Sequence, residues 1–415
     1  MHSARPNIGR ARDYMQRYGL RAVLATSPTN VAYLTGYDCW LYQKYTEDML
    51  LLGAPRERKE TFAFLGETGG PVLVTDTYTS LFASELAGVE LRCYGGAPPT
   101  ISGSRRPSRH SSFFRTALAS QKHTPVEALA AALKEQGVTS GRVAVETAAM
   151  RGEALGALRR ALPEVEFLDG GLVLALIRMV KTEAEVGILT TAARINERAL
   201  YKSLRLARTG APVSDLSRRY MVEIAKEGAL FDHYFYSPDG LWLSGAQGYR
   251  LRRGEHTIID TGCTFELYFG DMGTTLLVGK ERPAVVRRYG EIWEAIDEVA
   301  DHTEAGMTPS DVMKRFADLY GRSDIPSPDY QGHGIGLEPR EYPIMGQGGP
   351  KTVADEVVRA STEIPLEVGM VISLETSVYE AGEGSYEVER TFLIGKSRLK
   401  ELTTKKDRNI FVSEA

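Results

Sequence analysis

One heptapeptide pattern occurs twice in this chain. Gly210-Ala211-Pro212-Val213-Ser214-Asp215-Leu216 aligns with Gly306-Met307-Thr308-Pro309-Ser310-Asp311-Val312. Each copy follows a long helical pattern (residues 192–206 and 285–303) and precedes a second one (217–226 and 313–320). A repeat constrains the fold strongly, because each copy is one supersecondary unit that needs a neighbour to cover its apolar face. The expected unit is helix, turn with an N-cap, helix, then strands, built twice. Two such α+β copies commonly pack about a pseudo-twofold axis with a site at their interface.

Upstream of the repeat the texture differs. Short apolar runs at residues 22–25, 61–65, 72–74, 89–91 and 143–145 are flanked by turn residues and read as strands. A helical pattern lies at 125–136, so this part reads as an α/β domain. The Ser/Arg-rich stretch 102–115, with Pro107 and His110, reads as a solvated loop. Thr182-Glu183-Ala184-Glu185 is a capping-box signal that opens a new helix, which places the domain boundary around 172–181. The expected domains are 1–175 and 176–415.

Composition removes several function classes. Of 415 residues 43% are hydrophobic and 25% charged, an ordinary globular balance rather than a disordered or collagen-like one. The net charge of −4, with both signs interspersed, gives no reason to expect nucleic acid or anionic lipid as partner. No apolar run is long enough to span a membrane; the run from Gly171 to Ile177 meets Arg178. Met1-His2-Ser3-Ala4-Arg5 carries no apolar stretch of the secretion-signal kind. Cys39, Cys93 and Cys263 are odd in number and far apart, and form neither a disulfide framework nor a Cys-x-x-Cys site. A soluble, cytoplasmic protein is expected.

Four carboxylates sit where apolar strands should exclude them. Asp260 ends the run Thr257-Ile258-Ile259, and a turn is expected at Gly262; Asp271 opens the run to Leu276-Leu277-Val278. Glu375 follows Val371-Ile372-Ser373-Leu374, and Glu389 lies in Tyr386-Glu387-Val388-Glu389; Gly382 and Gly384 suggest a hairpin between them. Antiparallel pairing would set Asp260 opposite Asp271 and Glu375 opposite Glu389 on one sheet face. Four converging anions repel by several kcal/mol unless cations neutralise them. His333, in Gly332-His333-Gly334-Ile335-Gly336, completes a five-ligand set. Such hard donors suit two divalent ions (Mn, Fe, Co or Zn). Paired ions can hold a bridging hydroxide and polarise a carbonyl.

These residues in this order resemble the five-ligand signature of the creatinase/prolidase/aminopeptidase P and methionine aminopeptidase ("pita-bread") family. Ala25-Thr26-Ser27-Pro28-Thr29-Asn30-Val31-Ala32-Tyr33-Leu34-Thr35-Gly36 is similar to that family's N-terminal domain, and Arg178–Glu185 to its domain junction. The resemblance implies an α/β N-terminal domain plus an α+β pita-bread catalytic domain with internal duplication, commonly in a homodimer. By position, Asp260 would bind one metal, Asp271 and Glu389 would bridge both, and His333 and Glu375 would bind the other. Manganese is among the ions it implies. Glu375 is the candidate catalytic proton carrier.

The pattern also departs from the peptidases of that family, which surround the metals with further histidines. Trp242-Leu243-Ser244 occupies the place of one, Asp329 precedes His333 by four, and Arg340 follows it by seven. The arginine usual after the second aspartate is absent from Gly273-Thr274-Thr275. Arg340, His233 and Asp329 are therefore candidate substrate-binding residues, with Arg340 able to clamp a carboxylate bidentately. His233 has a plainer alternative as a packed histidine of the aromatic stretch 231–236. Tyr37, Trp40 and Tyr42 are candidates to reach a partner's pocket in a dimer. Three functions stay open: a dinuclear hydrolase of short peptides or small amides of Xaa-Pro dipeptidase type; a lyase or C–N hydrolase acting on a small carboxylate-bearing metabolite, similar to dimethylsulfoniopropionate lyases through Glu341-Tyr342-Pro343 with Glu338 or Asp329 as base; and a non-catalytic binding module.

Overall fold

The computed structural model describes residues 6–38, 60–77, 79–95, 108–119, 121–246, 248–323, 325–404 and 408–413. Cys39, Trp40, Tyr42 and residues 102–107 lie outside them. The chain forms two compact units, one of Met1–Arg178 with Val353–Ala360, the other of Met179–Thr352 with Ser361–Ala415.

In the first unit the apolar runs become β1 (Leu20–Ala25), β2 (Phe62–Gly66), β3 (Val72–Asp76), β4 (Glu90–Tyr94) and β5 (Gly141–Val145), joined by β6 (Val165–Asp169). They make one mixed sheet in the order β4-β3-β2-β1-β5-β6. Helices Ile8–Tyr18 (α1), Pro28–Thr35 (α2), Arg109–Ala119 (α3), Pro125–Glu135 (α4), Gly152–Ala161 (α5) and Gly171–Met179 (α6) accompany it. The Ala25–Gly36 motif is a strand, a turn and a helix latched by one carboxylate. Ser27 caps α2 with Pro28 in its first turn, and Glu146 accepts from the Thr26 and Ser27 amides and from Asn30 Nδ2. The Ser/Arg-rich stretch departs from its expected loop, because α3 covers its second half. Ser108 and Ser111 cap that helix reciprocally, amide to hydroxyl in both directions at 2.8 and 3.1 Å.

The second unit contains the repeat. Glu183–Leu204 (α7) and Val213–Lys226 (α8) precede β7 (Leu230–Tyr236), β8 (His256–Phe265) and β9 (Tyr268–Val278). Pro283–His302 (α9) and Pro309–Tyr320 (α10) precede β10 (Tyr330–Gly334) and β11 (Glu341–Gly346). A two-stranded ribbon, β12 (Thr352–Ala354) with β13 (Arg359–Ser361), interrupts this run, and Val353–Ala360 within it counts with the first unit. The hairpin β14 (Val371–Glu380) and β15 (Gly384–Ile394) follows, then β16 (Leu399–Glu401) and β17 (Phe411–Ser413). The two heptapeptides hold equivalent places. Gly210 and Gly306 are left-handed (φ 81° and 99°), α8 and α10 start three residues later, and Leu216 and Val312 are buried. Thr182 forms the capping box of α7 with Glu185.

The sheets run β17-β9-β8-β7 and β11-β10-β14-β15-β16. Helices α7 and α8 cover the first through Leu200, Leu216, Tyr220 and Ile224 against Ile259 and Leu276. Thr275 on β9 ties it to the second sheet: its hydroxyl accepts from the Glu387 amide at 2.8 Å and donates to the Glu387 carbonyl at 3.1 Å. No helix among the described residues is long and apolar enough to cross a membrane.

Candidate metal centre

Strand β8 runs straight through Gly262, where a turn was expected, and the reversal falls at Glu266 and Leu267, both with positive φ. Strand β9 accordingly begins at Tyr268 rather than Asp271. The register therefore pairs Asp260 with Gly273 and Asp271 with Gly262, so the two aspartates are diagonal neighbours rather than opposite. Buried Asn196 holds this part of the ladder. Its Nδ2 donates to the carbonyls of Thr261 and Gly270, and its Oδ1 accepts from Tyr220 and Thr261 hydroxyls. In the second sheet Glu375 and Glu389 are directly opposite, and His333 faces Ser373.

The two sheets bring these side chains together. His333 Nε2 lies 3.5 Å from Glu389 Oε1, 3.6 Å from Glu375 Oε1 and 3.9 Å from Asp271 Oδ2. His233, on β7, turns Nε2 to within 3.1 Å of Asp260 Oδ1 and 3.6 Å of Asp271 Oδ1. It stacks on Phe235, so its packed setting and its place at the cluster coexist. The Ser373 hydroxyl donates to Glu389 at 2.6 Å.

Crowded burial distorts the acid–base equilibria of Asp271, Glu375, Glu389, His333 and His233. Burial, then the charges of Glu389 and Asp260, holds the Asp271 carboxyl well above the usual carboxylate range. Burial and then Glu389 push Glu375 up to about 8. Glu389 goes the other way: burial would raise it, but His333 and the Ser373 hydroxyl hold it low. Burial also opposes protonation of the imidazoles, yet Glu389 lifts His333 to about 9, and Asp232 and Asp260 lift His233 to about 11. A cluster that repels itself in this way is one that divalent cations discharge. Asp271 Oδ1 and Glu375 Oε1 are buried without a hydrogen-bond partner. His333 Nδ1 lies 2.9 Å from the Gly334 carbonyl; a ring N–H held there leaves Nε2 as the free donor atom. The residues fit a divalent metal centre.

Two neighbours of the centre were not anticipated. Glu387 lies on the same face as Glu389, as period-two alternation along β15 dictates. Its Oε1 accepts from Ser377 at 2.6 Å, while Oε2 is buried without a partner. A Cβ on Gly273 would come within 2.1 Å of that oxygen, so a side chain there would force Glu387 to move. The Tyr330 hydroxyl is also buried and unpartnered; its ring stacks on His333 at 6.2 Å and carries the Arg340 guanidinium at 4.9 Å. Burial opposes the charge on Arg340, but Tyr330 and then Glu375 and Asp271 of the cluster favour it. Asp329 is exposed, and its backbone carbonyl accepts from the Gln347 amide. Glu341 is buried in an ion pair with Lys181 at 2.9 Å, which gives it a structural task.

A duplicated pita-bread unit gathers histidine and carboxylates where its two sheets meet, in groups that could hold a metal ion. Residues 187–396 match the model of Metallopeptidase family M24, and residues 7–180 match the Creatinase/Prolidase N-terminal domain. The chain belongs to family M24. It is 26% identical over 250 residues to a Xaa-Pro dipeptidase of Pyrococcus horikoshii, a match covering 57% of this chain and 66% of the relative. A Xaa-Pro dipeptidase of Pyrococcus furiosus is 27% identical over 55% of this chain and 64% of its own length. The matches thus span just under two thirds of these relatives. Solved structures of a Xaa-Pro dipeptidase from Bacillus anthracis (TM-score 0.72, 19% identity, 98% and 99% of the two chains) and a prolidase from Pyrococcus horikoshii (0.71, 18%, 97% and 99%) share the fold.

Proposed function

We propose that this protein hydrolyses short peptides or small amides, in the manner of an Xaa-Pro dipeptidase, with two divalent ions. The observation that carries the proposal is the pair of buried, unpartnered carboxylate oxygens on Asp271 and Glu375 beside a buried imidazole. Asp260 would hold one ion, Asp271 and Glu389 both, and His333 and Glu375 the other. Bound divalent metal lowers the pKa of water and polarises a carbonyl. Glu375, at the proposed metal site, is the carboxylate that would take a proton from the attacking water and give it to the leaving nitrogen. Arg340 and the Tyr330 hydroxyl would hold the substrate carboxylate, since guanidinium and phenol both donate to it. His233 faces Asp260 and Asp271 rather than Arg340, so substrate contact is assigned to the Arg340–Tyr330 wall.

The relatives carry peptidase names, which sets hydrolysis ahead of elimination on a small metabolite and of a purely binding role. Manganese as one of the acceptable ions, a homodimer and a cytoplasmic address belong to the same proposal. The test is free proline released from Xaa-Pro dipeptides by chelator-stripped protein, with and without Mn²⁺, Co²⁺ or Zn²⁺. Metal-dependent proline release is expected. No metal-dependent cleavage across the panel would overturn the proposal.

A further inference from the structure

We infer that His233 is a sixth protein ligand of the metal centre, so that each half of the duplicated unit contributes one imidazole and two carboxylates. The inference rests on the two-ion reading above. Topology supports it first. In the first half β7 pairs with β8 and β8 with β9; in the second, β10 pairs with β14 and β14 with β15. His233 and His333 lie on β7 and β10, Asp260 and Glu375 on β8 and β14, Asp271 and Glu389 on β9 and β15. The order imidazole, acid, acid is therefore written twice on equivalent strands. The registers differ in detail, since His233 faces Gly262, beyond Asp260, and His333 faces Ser373, before Glu375.

Geometry supports it independently. Ligand atoms of His233, Asp260 and Asp271 all lie within 4.8 Å of one another, and the same holds for Asp271, His333 and Glu389. Asp271 belongs to both groups, as a residue shared by two ions must. The His233 ring is also oriented as a metal-bound imidazole is. Its Nδ1 lies 2.7 Å from Asp232 Oδ2, the carboxylate–histidine arrangement that fixes a tautomer and directs Nε2 to a metal. Phe235 stacks on the ring at 4.7 Å between centroids, and bare Gly262 makes room for it, because a Cβ there would lie 2.3 Å from His233 Cε1.

The experiment counts metal and imidazole. Protein stripped by chelator and titrated with Co²⁺ should bind two ions per chain. H233A and H333A should each weaken one of the two by at least about 10-fold, since even losing a group that merely supports a ligand costs about 10- to 100-fold, and leave the other. X-ray absorption of the two-ion wild-type protein should report one imidazole per ion on average. Wild-type binding constants in H233A, or half an imidazole per ion in the wild type, would overturn the role of His233. If H233A does not fold, the wild-type absorption spectrum alone decides. D271A separates this from the reading beneath it: two ions still bound with wild-type constants in D271A would overturn the site as drawn, with Asp271 shared by both ions. Loss in D271A with unchanged uptake in H233A would overturn only the sixth ligand.

Discussion

Arg340 is exposed, stacked on Tyr330, and in the field of Glu375 and Asp271. If it holds a substrate carboxylate, R340A should raise KM for free dipeptides about 10- to 100-fold, the worth of a charge-assisted hydrogen bond. Dipeptide amides should be unaffected; equal losses on acids and amides would contradict the assignment. His256 makes a separate case, away from the proposed ligands. Burial and then Arg282 hold its imidazole down to about 4. An unfolded histidine protonates near about 6.5, so between these values the unfolded chain binds the proton and the fold does not. Its contribution to stability is full above about pH 6.5 and falls as pH drops towards 4. H256Q should flatten that limb of the melting-temperature profile, and an unchanged limb would contradict the reading. The proposed ligands could be read from the chain because acids in apolar strands demand an explanation. Tyr330 could not, since its contacts depend on how the β10 strand places its ring beneath Arg340.

Strand β9 shows how register decides a site. Gly273 faces Asp260 with Glu387 pressed against its bare Cα. G273A should cost about 1–3 kcal/mol of stability through overpacking, and adding E387A should restore most of it. A G273A variant as stable as wild type, or no rescue, would contradict this packing. Asn196 fastens the same ladder with four hydrogen bonds. Asn196→Ala should therefore lower unfolding free energy by about 1–3 kcal/mol, read by denaturant titration, because it strands buried partners. The strand positions were readable from apolar runs, but the aspartate register was not: Glu266 and Leu267 turn with positive φ, which non-glycine residues seldom adopt. Helix α3 was hidden differently. Its polar, arginine-bearing sequence buries only Ala117, so no apolar stripe announced it, although Ser108 and Ser111 carried a capping signal.

The duplicated heptapeptides fold as two equivalent turn–helix units, and the whole second unit is organised around the place where their sheets meet. Fold class was readable because a repeat and a change from α/β to α+β texture are properties of long stretches. The centre itself joins residues far apart in sequence, and only their types, not their distances, were written in the chain. Cations that bind the fold and not the unfolded chain stabilise it by mass action, about 2.7 kcal/mol for each site at a hundredfold excess over Kd. Added Mn²⁺ or Co²⁺ should therefore raise the melting temperature of the stripped protein but not of D271A. The most direct measurement is anomalous scattering from crystals grown with Co²⁺ or Zn²⁺. Two peaks are predicted among Asp260, Asp271, His333, Glu375 and Glu389, at roughly 2.0–2.2 Å from ligand oxygen and nitrogen. Crystals with metal present but no peak within reach of those five side chains would contradict the account.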